Sequence, residues 1–328
     1  MAHMNHLSRR GKFLLLSTIP LYFMVCGFLL QPVNEIWPGI VTLIREPDFL
    51  ITDYFVVGGV GAAFLNAGML TLLSIALIYF LGMEMDGHTI TSACLMFGFS
   101  LFGKNLLNIW AVMVGIWLYA KYHKMPVSKY IYIGLYGTSL SPIITQIMQI
   151  GQMPLIFRVF LALGAGMVIG FVLPPLATHV HFSHKGYSLY NVGFAAGIIA
   201  TVIVSLLKSF GITVESRLIW YTGNTMTFFA ILCILFAGMA VGALYVGGRQ
   251  AVEEYRAILK CSGIGGTDYL RDNGGPATVL NMAVNGFLST LMVVIAGGDL
   301  NGPTIGGIFT IVGFSSTGKH IRNIFPIM

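Results

Sequence analysis

Long apolar runs dominate the chain. They cover residues 13–30, 54–81, 89–120, 130–150, 155–177, 187–207, 220–246 and 274–296, and a further, incomplete run begins at Thr304. Each is too evenly apolar for the one-sided stripe of a surface helix, and most approach the roughly 20 residues a helix needs to cross hydrocarbon. The runs predict transmembrane helices joined by short polar segments. Glycine and proline inside them are tolerated where neighbouring helices satisfy the freed backbone groups. In run 54–81 the path is expected to enter and return, breaking near Asn66-Ala67-Gly68. Run 89–120 is read as a single crossing.

The runs are not independent of one another. Thr52-Asp53-Tyr54 and Thr267-Asp268-Tyr269 are separated by 268 − 53 = 215 positions. The same offset, without a gap, pairs Leu65-Asn66 with Leu280-Asn281 and Leu73-Ser74 with Leu288-Ser289. It also pairs Gly98-Phe99-Ser100 with Gly313-Phe314-Ser315, Gly103-Lys104 with Gly318-Lys319, and Asn108-Ile109 with Asn323-Ile324. Residues 52–113 and 267–328 are identical at 21 of 62 positions. Unrelated apolar helices share leucine and valine by chance, but not Asp, Asn and Lys in register, so the chain carries an internal repeat.

The expected fold is therefore an all-α integral membrane protein, a helical bundle of two repeats with re-entrant or broken helices. Residues 1–12 form a cytoplasmic N-terminus that starts with what looks like a cloning remnant, 13–226 the first repeat and 227–328 the second. The second copy stops at Met328, the partner of Met113, so it is expected to be truncated. Basic residues retained near membrane ends set orientation. Arg9, Arg10 and Lys12 put the N-terminus in the cytoplasm, and Lys121, Lys124 and Lys129 favour the same side. If run 54–81 enters and returns, five crossings separate Asp53 from Asp268 and the repeats are inverted. If it spans, the count is six and they are parallel.

Composition agrees with the bilayer. Apolar residues make up 56% of the 328 and charged residues only 9%, with mean hydropathy +0.83. Soluble domains carry about 25% charged residues. The net charge of +6 sits between apolar runs, where it reads as a topology signal and not as a nucleic-acid surface. Cys26, Cys94, Cys233 and Cys261 lack metal or disulfide spacing, and His179, His181 and His184 lie in a connection where histidine is ordinary, so no metal site and no cofactor are expected. Hydrolase and nucleotide-binding motifs are absent, which argues against an enzyme.

Candidate chemistry comes from polar residues that recur inside apolar runs. Lys104 and Lys319 are the sharpest, because a charge at membrane depth costs at least about 2.5 kcal/mol and usually faces a cavity or a partner. The plainer alternative is a lysine that snorkels to the interface. Ser100, Lys104 and Asn108 fall at i, i+4 and i+8, as do Ser315, Lys319 and Asn323, and on a helix each set makes one polar stripe facing a hollow. Asn66 and Asn281 follow glycine-rich segments that let a helix unwind. They bind solute or glue helices together. Asp53 and Asp268 are read first as helix N-caps and second as ion-coupling groups. Asn191 is a further candidate lining residue.

Gly-Gly-x-Gly-Ala-Ala-Phe-x-Asn at 58–66, Asn-Gly-Pro-Thr-Ile at 301–305 and Gly-Phe-Ser-x-x-Gly-Lys at 98–104 and 313–319 resemble an uncharacterised bacterial family of multi-pass membrane proteins with a duplicated domain of unknown function. The likeness covers nearly the whole chain. It departs at Asp86-Gly87-His88, where Asp and His replace Asn and Pro. The resemblance implies a prokaryotic inner-membrane protein and supplies no activity. The repeat and the polar stripe point to a transporter for a small solute or ion, with a site at the repeat interface. A passive channel for a small polar solute and a non-transport sensor or assembly subunit are the rivals. The partners expected are the lipid bilayer and the solute, and assembly as a homo-oligomer stays open.

Overall fold

The fold was obtained as a computed structural model, which describes residues 8–46, 51–151, 153–184, 190–212, 218–263 and 266–324. Ser8 opens α1 (Arg9–Leu30) by accepting the Gly11 N–H at 3.2 Å. Pro32 cannot continue that helix, and the chain turns into α2 (Val33–Arg45), whose Ile36, Gly39, Ile40 and Leu43 form one buried face. A two-residue strand β1 (Ile51–Thr52) and the single turn α3 (Tyr54–Val57) lead to α4 (Val60–Phe80). Gly59 makes that corner at φ +87°, a region that costs glycine little. α5 (Gly87–Phe99) starts from a capping box between Asp86 and Thr89.

After α5 come ten non-helical residues and then α6 (Trp110–Tyr122), α7 (Ile131–Gly137) and α8 (Pro142–Met148). α6 and α7 run antiparallel: Gly137 lies near Val112, Gly134 against Ile116, and the rings of Tyr119 and Tyr130 are 5.1 Å apart. At the start of α7 the Tyr132 hydroxyl donates to Asp86 at 2.9 Å. The chain thus comes back along α6 to the end from which α5 set out. Two long helices follow, α9 (Leu155–His184) and α10 (Asn191–Ser209). α6 and α9 approach closely because a Cβ on Gly115 or Gly170 would strike the other helix's backbone.

β2 (Leu218–Ile219) pairs in parallel with β1 and introduces the second set of elements. α11 (Thr225–Ile258) bends at Gly248, φ 51° and ψ −139°; α12 (Tyr269–Asp272), α13 (Gly275–Ile295), α14 (Gly302–Phe314) and α15 (Ile321–Ile324) complete the chain. α1 packs along α4, and α11 packs along α13.

Two expectations about breaks are corrected. α4 runs through Asn66-Ala67-Gly68 without interruption, because Gly61 and Gly68 provide close packing against α1 and not an unwound turn. Run 89–120 is not one helix: it breaks between Phe99 and Trp110.

Among the described residues a small buried cluster joins Ile258, Tyr269 and Ala277, and two large ones form most of the interior. One joins α1, α4, α5, α11 and α14 through packed rings, with Phe23 4.5 Å from Phe97 and Phe97 4.6 Å from Phe309. The other holds α6, α8, α9 and α10. Six helices among the described residues, α1, α4, α9, α10, α11 and α13, are long and apolar enough to cross a membrane. Their outer faces present Leu29, Phe80, Phe194 and Tyr245 to the surroundings, which for a multi-pass membrane protein are lipid.

Candidate functional site

Breaking a helix inside a protein strands backbone carbonyls, and each needs a donor. In the first copy the break follows Phe99, and Gly103 turns it at φ +83°. Asn66, fully buried on α4, donates its amide to Ser100 O at 2.8 Å and to Lys104 O at 2.9 Å. Asn108 donates to Gly103 O at 2.9 Å and accepts the Asn105 N–H at 3.0 Å. Ser100 Oγ donates to Met96 O at 2.6 Å. The stripe of Ser100, Lys104 and Asn108 is therefore not a helix face, since the helix ends before it begins. These residues fold a polar loop.

Lys104 points back along α5. It is 1% exposed, its ammonium lies 3.4 Å from Leu135 O, and it stands 5.2 Å from the centre of the Phe99 ring. Among the described residues no carboxylate pairs with it.

The second copy repeats the loop. Asn281 donates to Ser315 O and to Lys319 O, both at 2.7 Å, and Asn323 donates to Gly318 O at 2.8 Å. Ser315 Oγ donates to Ile311 O at 2.8 Å. Lys319 is only partly buried, and its ammonium lies 5.6 Å from the centre of the Tyr190 ring.

α5 and α14 bring the two loops into one assembly. They pack antiparallel, with Gly98 against Gly306 and Thr91 Oγ1 donating to Gly313 O at 3.0 Å. Asp53 accepts from Phe55 N at 3.0 Å, which caps α3, and also from Tyr221 N at 3.0 Å and Gly302 N at 3.3 Å. Gly302 is the first residue of α14. Asp268 accepts from Arg271 N at 3.1 Å and, at 3.1 and 3.2 Å, from Gly87 N, the first residue of α5. Each copy's aspartate therefore caps the other copy's short helix, where a carboxylate meets free N–H groups and the positive end of the helix dipole.

The antiparallel packing has a geometric result. Asn66, Ser100, Lys104 and Asn108 gather at the α5 C-terminus, beside the start of α14. Asn281, Ser315, Lys319 and Asn323 gather at the α14 C-terminus, beside the start of α5. The structure forms two clusters, one at each end of the pair, and not a single convergent one. A groove of about 350 Å³ between α1 and α4 is lined by Arg10, Phe13, Leu14, Leu72 and Tyr79 and contains none of these residues.

Several polar residues of this assembly escaped the sequence reading. Asn105, Thr91, Ser316 and Asn285 have no counterpart of the same type at the 215 offset, so a search for repeated residues passes over them. Asn285 had a usable signal, since Thr278, Asn281, Asn285 and Ser289 all lie on one buried face of α13. Asn191 meets His181 Nδ1 at 3.2 Å on an exposed surface, next in the chain to Tyr190, and the segment 187–189 lies outside the described residues.

No match emerged among curated proteins or among solved structures. A family described as a protein of unknown function, DUF1576, matches residues 33–209 and 248–328. The matched segments start 248 − 33 = 215 residues apart, the offset that aligns Asp53 with Asp268. With most of its length matched in two segments, this multi-pass helical chain belongs to the DUF1576 family.

Proposed function

We propose that the chain is a membrane transporter for a small solute or ion, in which two inverted repeats move about the α5–α14 pair. One observation carries this reading: two antiparallel helices of 13 residues, each ending inside the protein at a polar loop and each capped by an aspartate from the other copy. At 1.5 Å per residue such helices are about 20 Å long, too short for a hydrocarbon core of about 30 Å. Paired half-helices with unwound ends are how many carriers expose charge and backbone groups to a solute at membrane depth. In this reading α5, the following loop and α6 form a re-entrant unit. Arg9, Arg10 and Lys12 set the N-terminus in the cytoplasm of a prokaryotic inner membrane.

Lys104 is the leading solute contact. A buried ammonium without a carboxylate partner is costly, and an anionic or carboxylate-bearing solute would offset that cost.

The test is flux into liposomes carrying the purified protein, with a panel of small anions and neutral polar solutes. At least one class should enter, and Lys104→Met should lower its flux at least about tenfold, the loss of one charge-assisted contact. Unchanged flux in a folded Lys104→Met protein would remove the site. Flux of neutral solutes alone, indifferent to any ion gradient, would favour a channel.

A further inference from the structure

We infer that α13 and the end of α14 hold a binding site for a small monovalent cation, with Asn281 Oδ1 and Asn285 Oδ1 as ligands. The two asparagines lie one turn apart on α13, and both are fully buried. Their amide nitrogens are committed to the same residue: Asn281 donates to Ser315 O and Asn285 to Ser315 Oγ, each at 2.7 Å. Two carbonyl acceptors, Ser315 O and Lys319 O, fix which end of the Asn281 carboxamide is nitrogen, and Ser315 Oγ, whose proton goes to Ile311 O at 2.8 Å, accepts from the nitrogen of Asn285. Both oxygens are then acceptors, buried from solvent, and neither meets a donor among the described residues. Leaving a buried acceptor unpaired costs about 1–3 kcal/mol, and here two stand on one helix face.

The surroundings select the occupant. Amide oxygens are hard ligands and suit alkali or alkaline-earth cations. Ser315 terminates α14, so the negative end of that helix dipole lies at the site. Asp268 holds its carboxylate beside the same end of α14, since the next residue's N–H bonds Ser316 O at 3.0 Å. Lys319 brings its carbonyl to Asn281 but turns its ammonium toward the Tyr190 ring. Neutral oxygens would offset the desolvation of one positive charge far better than of two, which favours a monovalent ion. In carriers the unwound carbonyls and C-terminal ends of half-helices hold coupling ions.

The first copy lacks this pair. Asn66 Oδ1 is also without a donor among the described residues, but Leu70 occupies the position that corresponds to Asn285. The cation site therefore belongs to the second copy alone. Cation binding stands on these contacts; its coupling to solute movement rests on the transport reading above.

The experiment is binding of radioactive sodium to the purified full chain, measured by scintillation proximity. Saturable binding is expected, displaced by sodium chloride and not by choline chloride. Asn285→Leu, which installs the first copy's residue, should weaken it at least about tenfold through loss of one of two protein ligands. Asn285→Asp keeps an oxygen and should bind at least as tightly as the wild type, which settles the matter if the leucine variant does not fold. Absence of saturable binding, wild-type binding by a folded Asn285→Leu, or loss of binding in Asn285→Asp would each overturn the site. Sodium binding without flux of any solute would sink the transport reading and spare the site. Solute flux without sodium binding would do the reverse.

Discussion

The loop after α5 and the loop after α14 share one hydrogen-bond frame and differ in what surrounds it. Asn66 and Asn281 bond the carbonyls of Ser100 and Lys104 in one copy and of Ser315 and Lys319 in the other. Gly59 and Gly274 turn at φ +87° and +84°, Gly82 and Gly297 at +76° and +73°. Around this frame the copies diverge. Lys104 is sealed beside Leu135 of α7, whereas Lys319 is partly open beside Tyr190. Leu70 becomes Asn285, and Asn105 becomes His320, whose Nε2 meets Cys261 O at 2.9 Å. The repeated residues are mainly those that satisfy backbone groups where a helix stops. The asymmetry lies in the exposure of the lysines and in the polar groups around them.

Four substitution pairs can break or sharpen that comparison. The largest effect is expected for Asn66→Leu and Asn281→Leu. Each strands two buried carbonyls, so each should cost about 2–5 kcal/mol, nearly the same in both copies. Thermal unfolding in detergent measures this, and tolerance of either one would show that the frames are not equivalent. Next come Asp53→Ala and Asp268→Ala, which remove the carboxylate that accepts the first N–H of the other copy's short helix. A loss of about 1–3 kcal/mol is expected, larger at Asp53 because it serves three N–H groups where Asp268 serves two. Equal losses would contradict that count.

The lysines should separate the copies most clearly. Lys104→Met removes an unpaired buried charge, so stability should hold or rise by about 1 kcal/mol while flux falls. Lys319→Met should leave stability within about 0.5 kcal/mol, as partly exposed substitutions do. The last pair concerns two neighbouring glycines of α14. A Cβ on Gly306 would sit 2.9 Å from Gly98 O, but one on Gly307 meets open space. Gly306→Ala should cost about 1–2 kcal/mol through overpacking, and Gly307→Ala should gain less than about 1 kcal/mol from helix propensity.

Much of the fold was legible in the sequence for local reasons. Apolar runs identify lipid-facing helices because transfer free energy adds residue by residue along the segment. The recurrence of Asp, Asn, Gly and Lys at one offset reveals the duplication because apolar helices rarely retain such residues by chance. N-capping by Asp53 and Asp268 was readable because the cap depends on a few adjacent residues. The roles of Asn66 and Lys104 were not readable in the same way. A glycine-rich stretch such as 58–61 looks alike whether it lets a helix unwind or lets two helices touch, and here Gly27 and Gln31 against Gly61 decided for contact. The polar stripe depended on a helix that Gly103 does not permit.

The amino-acid order alone determined that this protein lives in a bilayer, that it is helical and that part of it is duplicated, because these follow from burial preferences summed over neighbours in the chain. Tertiary structure decided which helix ends meet. The contact between Asp53 and Gly302 joins residues 249 positions apart, and no local pattern encodes it. That contact, with its mirror at Asp268 and Gly87, sets α5 and α14 antiparallel and sends the two lysine-bearing loops to opposite ends, because a free helix N-terminus and a buried carboxylate each lack a partner until the other arrives.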